Sequence, residues 1–191
     1  QINALQTSLQ ALEGCNALAI AETARGLEGT AGRLYFATLS YVLPKEYQFK
    51  GRSKRPAKDP FNAFLNYGYG VLYSTVERAL TIAGIDPFVG FMHRDGYNQL
   101  SMVYDFIEPY RVYIEQVVFK LFSAKKVNQS HTDAIRGGVK LNPAGKSLLT
   151  EPLGNYLRSD KVKHSQKHQT RENVIQNEAI AFAQSLLDQS K

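Results

Sequence analysis

Leu100-Ser-Met-Val-Tyr-Asp-Phe-Ile-Glu-Pro-Tyr-Arg-Val-Tyr-Ile-Glu-Gln-Val-Val-Phe-Lys-Leu-Phe122 is the stretch that decides the fold. Val103, Ile107, Tyr110, Ile114, Val117 and Leu121 recur at helical spacing and form one apolar stripe, which predicts a helix from about Leu100 to Phe122. Upstream, Asp95, Gly96 and Asn98 mark a turn, and the apolar run Phe88 to His93 reads as extended, so a short hairpin is expected around residues 88 to 104. Gly84, Asp86 and Pro87 stop a preceding helix, which Asp59 as N-cap and Pro60 in the first turn begin and which runs to about Ala83. Residues 44 to 58 read as a loop. Ile2 to Leu43 is rich in Ala and Leu and fits two helices broken near Gly14. Downstream, Arg171 to Leu187 has helical spacing, while the segment between carries Gly137, Gly138, Pro143, Gly145, Pro152 and Gly154 as punctuation. The expected fold is mainly α, a multi-helix domain with at most a short hairpin, and residues 1–191 read as a single domain.

The 191 residues, 43% hydrophobic and 11% aromatic, are enough for one sizeable core. A single cysteine, Cys15, excludes an internal disulfide framework and a Cys-rich zinc site, so a reducing, cytoplasmic compartment is expected. No apolar run approaches the roughly 20 residues needed to span a bilayer. The formal charge of +6 is unevenly spread. Lys45, Lys50, Arg52, Lys54, Arg55 and Lys58 face Glu46 alone, and from Lys120 to Arg171 there are 11 Lys or Arg against Asp133, Glu151 and Asp160. Each stretch can follow a phosphate backbone or simply be a solvated loop.

Asp105 and Glu108, three residues apart, lie within about 60° on one helix face. His93 precedes a turn that can fold it back towards the start of that helix. One imidazole and two carboxylates suit a hard or borderline divalent ion such as Mg²⁺ or Mn²⁺, although a histidine near acids is more often a satisfied or exposed side chain. Glu28 stands in a strip of small residues, Gly26, Gly29 and Gly32, where phosphate or another helix can come close, or where it pairs with Arg25 or Arg33. Asn62, Asn66, Tyr69 and Tyr73 form a polar stripe that either meets DNA or fills the core.

Arg25-Gly-Leu-Glu28-Gly, Asp59-Pro-Phe-Asn62-Ala, Gly84-Ile-Asp-Pro87, Gly90-Phe-Met-His93 and Leu100-Ser-Met-Val-Tyr-Asp105-Phe-Ile-Glu108-Pro-Tyr-Arg111 resemble, in order and separation, successive motifs of the CRISPR adaptation integrase, the Cas protein numbered one. The resemblance covers roughly residues 18 to 122, with Gly138-Val-Lys-Leu141, Gly145-Lys and the last helix similar to the family's C-terminal end. It implies Glu28, His93 and Glu108 as ligands of Mg or Mn, Asp105 as a second ligand or a residue behind them, and Arg111 near the substrate phosphate. From the charge clustering and the polar stripe, contacts to DNA are expected from Arg25, Lys50, Arg52, Lys54, Arg55, Asn62, Asn66 and Tyr69. The implied reaction is transesterification, in which the 3′-hydroxyl ends of DNA fragments join the CRISPR repeat. The implied partners are double-stranded DNA, a second copy in a homodimer, and the small CRISPR-associated protein numbered two. The family's N-terminal β-rich domain has no counterpart in the chain, which suits either part of a longer polypeptide, such as a fusion to a reverse transcriptase, or a reduced form.

The alternative is a non-catalytic helical module that binds DNA or scaffolds a complex, with Glu28, His93, Asp105 and Glu108 in structural salt bridges. Several acids beside a phosphate site argue against it, since like charges repel without an intervening cation. An enzyme acting on small phosphorylated molecules is disfavoured by the lack of a GxxxxGK loop.

Overall fold

The computed structural model describes residues 2–10, 17–91 and 97–189, which cluster into two units, Gln1–Arg55 and Pro56–Lys191. In the first, α1 (Ile2–Gln10) packs on α2 (Ala17–Val42). These are the two expected helices, and the break at Gly14, with Cys15, lies outside the described residues. After α2 the chain folds back on itself. The Ser40 hydroxyl donates to the Phe49 carbonyl and accepts the Phe49 N–H, both at 2.7 Å, and Leu43 and Phe49 are buried beneath the turn.

The second unit is organised around α3 (Pro60–Ile82), whose ends follow the local chemistry of the sequence. Asp59 caps it by accepting the Asn62 N–H at 2.8 Å, and Pro60 sits in the first turn, where no donor is needed. At the other end Gly84 adopts φ +80°, Gly84 N–H donates to Thr81 and Ile85 N–H to Leu80, the paired bonds of a Schellman stop. Phe61, Phe64, Leu65, Leu72, Val76 and Leu80 are buried along it.

Around α3 pack α4 (Ser101–Phe106), α5 (Arg111–Ser123), α6 (Pro143–Arg158) and α7 (Arg171–Gln189). They contribute Ile114, Val118 and Phe122, Leu149 and Leu153, and Ile175 and Ala179 to one core. Phe122 meets Phe61 and Phe64 edge-on at 5.0 and 5.3 Å. Among the described residues no helix is long and apolar enough to cross a membrane.

Two expectations need correction. The helix expected from Leu100 to Phe122 is broken: α4 ends at Phe106, Glu108–Tyr110 form a 3-10 turn, and α5 restarts at Arg111. Pro109 is the cause, since it has no N–H for the Asp105 carbonyl and its ring crowds that group. The hairpin expected around residues 88 to 104 does not form among the described residues, where 86–91 are turn and loop. Two antiparallel hairpins lie later. In the first, β1 (Thr132–Ile135) pairs with β2 (Gly138–Leu141), and it is tied down by Val139 N–H to the Ala57 carbonyl at 2.9 Å and Lys58 Nζ to the Gly137 carbonyl at 2.7 Å. In the second, β3 (Lys161–His164) pairs with β4 (Lys167–Thr170) through the two-residue tip Ser165-Gln166. Both tip residues are left-handed, at φ 46° and 68°, a conformation that costs roughly 1–2 kcal/mol for each residue with a Cβ. The unrecognised α6 begins at Asn142, whose side chain accepts the Gly145 N–H, and continues through the interior Pro152.

Two glycines on α3 give opposite expectations. A Cβ on Gly68 would collide with the Ile114 side chain of α5, whereas one on the exposed Gly70 would meet nothing within 4 Å. Gly68→Ala should therefore destabilise the fold by about 1–3 kcal/mol through overpacking. Gly70→Ala should stabilise it by up to about 1 kcal/mol through helix propensity. Urea denaturation of the two variants checks this; equal effects would contradict the close approach of α3 and α5.

Candidate functional site

The break at Pro109 splits two carboxylates that an unbroken helix would keep on one face. Asp105, still on α4, is only 8% exposed, and its Oδ2 accepts the Phe91 N–H at 2.7 Å. Gly90 lies against the same carboxylate: a Cβ there would come within 2.7 Å of Ser101 Cβ and 2.9 Å of Asp105 Oδ2. The Pro87 carbonyl accepts the Met102 N–H at 3.1 Å, and Asp86 caps the turn by accepting the Phe88 N–H at 2.9 Å. Residues 86–91 are thus docked on the start of α4, with a buried charge holding the last of them. A charged acceptor makes that the stronger class of hydrogen bond.

Glu108 opens the 3-10 turn and points the other way, with its side chain 38% exposed and 2.8 Å from Arg111. Arg111 lies 5.7 Å from the Tyr69 ring centre. Burial by itself disfavours its charge, but Glu108 and the hydroxyls of Tyr73 and Tyr69 outweigh this and shift its pKa upward, so it is a permanent cation. Its Nε is buried without a hydrogen-bond partner among the described residues. Tyr69 is 7% exposed and donates to Glu115 at 2.6 Å; Tyr73 packs edge-on against Tyr104 at 5.5 Å. Tyr110, between Glu108 and Arg111, donates to Glu178 of α7, and burial together with that carboxylate raises its pKa. The turn is therefore pinned to α3 through Arg111 and to α7 through Tyr110.

The other expected residues fall as follows. Glu28 is exposed on α2, and among the described residues a Cβ at Gly26, Gly29 or Gly32 would meet nothing within 4 Å. His93 lies outside the described residues, as does the side chain of Arg25. Lys50, Lys54 and Arg55 are exposed in the loop after α2, and Arg52 is half-buried there. Asn66 is half-buried on α3. Two residues expected to contact DNA have partners within the fold. Asn62 has no exposed surface and its amide donates to Asp59 at 2.7 Å, so it completes the helix cap. Tyr69 is covered by Arg111 and its hydroxyl is engaged by Glu115, so it supports Arg111 from below. Glu115 itself was not singled out from sequence, although a carboxylate four residues after an arginine on one helix is a readable pair. Among the described residues, no three His, Cys, Asp or Glu side chains converge on one point.

Comparison with known proteins places this arrangement. The model of the family described as CRISPR associated protein Cas1 matches residues 1–154. A CRISPR-associated endonuclease Cas1 of Thermus thermophilus is 39% identical over 145 residues, covering 75% of this chain and 45% of the relative. The chain spans about half the length of the curated relatives it matches. Among solved structures, a casposase bound to integration product superposes with a TM-score of 0.83 at 28% identity, over 88% of this chain and 48% of that one. A Cas6-RT-Cas1–Cas2 complex shares the fold with a TM-score of 0.83 at 24% identity, over 98% of this chain and 20% of that one. With the family model covering most of the chain, and the helical architecture matched in solved structures, the chain belongs to the CRISPR associated protein Cas1 family.

Proposed function

We propose that this chain supplies the catalytic helical part of a divalent-metal-dependent DNA integrase and endonuclease of CRISPR spacer acquisition, its two units acting as one catalytic domain. The reaction would join the 3′-hydroxyl ends of DNA fragments into the CRISPR repeat by transesterification. The observation that carries the reading is the division of labour around Pro109: Asp105 buried and holding the Phe91 backbone, Glu108 turned outward beside a permanent cation.

Glu28, His93 and Glu108 would hold Mg²⁺ or Mn²⁺. The donor chemistry fits: carboxylate oxygens and one imidazole, with no thiolate, suit these ions. Bound there, the metal would polarise the phosphoryl oxygen and stabilise the leaving 3′-oxygen. Asp105 is then a positioning residue, because its carboxylate already holds a backbone N–H. Arg111, kept charged and carried on the Tyr69 ring, would bind a non-bridging phosphate oxygen and exchange its ion pair with Glu108 for one with substrate. Lys50, Arg52, Lys54 and Arg55, with Arg25, would bind the DNA backbone without regard to sequence. The whole protein would work as a homodimer on duplex DNA, bridged by the small CRISPR-associated protein numbered two. The likeness to a casposase bound to integration product supports a substrate that is integrated.

A non-catalytic scaffold would also accommodate the Arg111–Glu108 ion pair, and substitution separates the readings. Glu108→Gln should lower strand transfer on the order of a hundredfold or more while lowering thermal stability by no more than about 1 kcal/mol, since the ion pair is partly exposed and a Gln oxygen still accepts from Arg111. Strand transfer at the wild-type rate, or loss matched by unfolding, would leave the scaffold reading standing. Asp105→Ala should cost about 1–3 kcal/mol of stability by orphaning the Phe91 N–H and weaken Mn²⁺ binding roughly 10- to 100-fold. Asp105→Asn, which still accepts a hydrogen bond, should recover most of both. Calorimetric Mn²⁺ titration beside melting reads this; an Asn variant as damaged as the Ala variant would make Asp105 a ligand instead of a positioning residue.

A further inference from the structure

The β3–β4 ribbon has one covered face and one bare one. On the covered face, His164 lies 3.5 Å from Glu178, and the Gln169 amide oxygen accepts from Asn177 at 2.7 Å, so α7 fixes the ribbon from behind. On the bare face the register places Lys161 opposite Thr170 and Lys163 opposite His168. Lys161, Lys163 and His168 are exposed there, Lys167 is exposed beside the tip on the other face, opposite His164, and the three lysines have no carboxylate partner among the described residues. Lys161 and Lys163, two residues apart on one face of a strand, repel each other. The tip adds to the cost: Ser165 and Gln166 stand left-handed where Asn-Gly would sit without strain. Such outliers persist where the side chains are needed. The β1–β2 hairpin differs in its tip, which carries Gly137, and in its charge, with Lys140 opposite Asp133.

We infer that the β3–β4 ribbon is a second DNA-binding element, which enters the major groove of duplex DNA with Lys161, Lys163 and Lys167 against phosphates and Ser165 and Gln166 leading. This rests on the proposal that the substrate is DNA, but not on the metal site. The fit is geometric as well as electrostatic. Two strands about 4.8 Å apart make a ribbon that the roughly 12 Å major groove of B-form DNA admits. The deep, narrow major groove of duplex RNA does not.

The test is the binding of the full chain to a labelled DNA duplex and to an RNA duplex of the same sequence, across a salt series in excess chelator. With Lys161, Lys163 and Lys167 all replaced by Ala, the slope of log affinity against log salt for DNA should fall by about 2 to 3, with less than half that change for RNA. Ser165→Asn with Gln166→Gly should raise the melting temperature yet weaken DNA binding threefold or more. An unchanged DNA slope in the lysine variant, an equal or larger effect on RNA, or a stabilised tip variant with undiminished affinity would each overturn the inference. A parallel variant with Lys50, Arg52, Lys54 and Arg55 replaced by Ala separates this from the broader reading. If that variant weakens DNA binding and the ribbon variant does not, only the ribbon assignment falls; if the unaltered chain binds neither duplex, the DNA substrate itself is wrong.

Discussion

Pro109 is the constraint on which the site depends. Because it has no N–H to give the Asp105 carbonyl, α4 ends early, a single tight turn follows, and α5 starts on a new course. An uninterrupted helix would present Asp105 and Glu108 to the same surroundings. With the break, one carboxylate goes into the protein and the other out of it. Two acids three residues apart thereby acquire different work, one in holding backbone and one in meeting solvent or a ligand.

The turn needs support from both sides, and the aromatic residues supply it. Arg111 rests on Tyr69, which is fixed by Glu115, while Tyr110 reaches across to Glu178. A half-buried arginine is costly unless its charge is matched, and Glu108 together with the tyrosine hydroxyls matches it. Should a phosphate replace Glu108 as the partner, the cation would keep its compensation while Glu108 became available to a metal. Tyrosines that looked from sequence like a surface for bases therefore serve as the bed of an arginine.

What the sequence made legible was local. The start and stop of α3 could be read from Asp59, Pro60 and Gly84 because each acts on its neighbours within a turn. The apolar stripe through Leu100 to Phe122 was real, but it hid the break, since Val103, Ile107 and Ile114 are buried whether or not the helix is continuous. Pro152 concealed α6 although Asn142 and Pro143 mark its start. The β3–β4 turn was invisible because neither Ser165 nor Gln166 favours the conformation it adopts. At the site, spacing singled out Asp105 and Glu108, whereas their different burial depends on packing against residues 86–91 and α7. The burial of Asn62 against Asp59 was not legible, because a buried cap partner and an exposed amide look alike at helical spacing.

The central claim is that Glu28, His93 and Glu108, far apart in sequence, serve one divalent ion. Crystals of the chain grown with Mn²⁺, measured at the manganese absorption edge, test it most directly. The account predicts one strong anomalous peak at about 2.0–2.3 Å from a Glu28 oxygen, a His93 nitrogen and a Glu108 oxygen, with Asp105 still bonded to the Phe91 N–H. A peak bound elsewhere, or Glu108 still paired with Arg111 at saturating Mn²⁺ and no peak beside it, would contradict it.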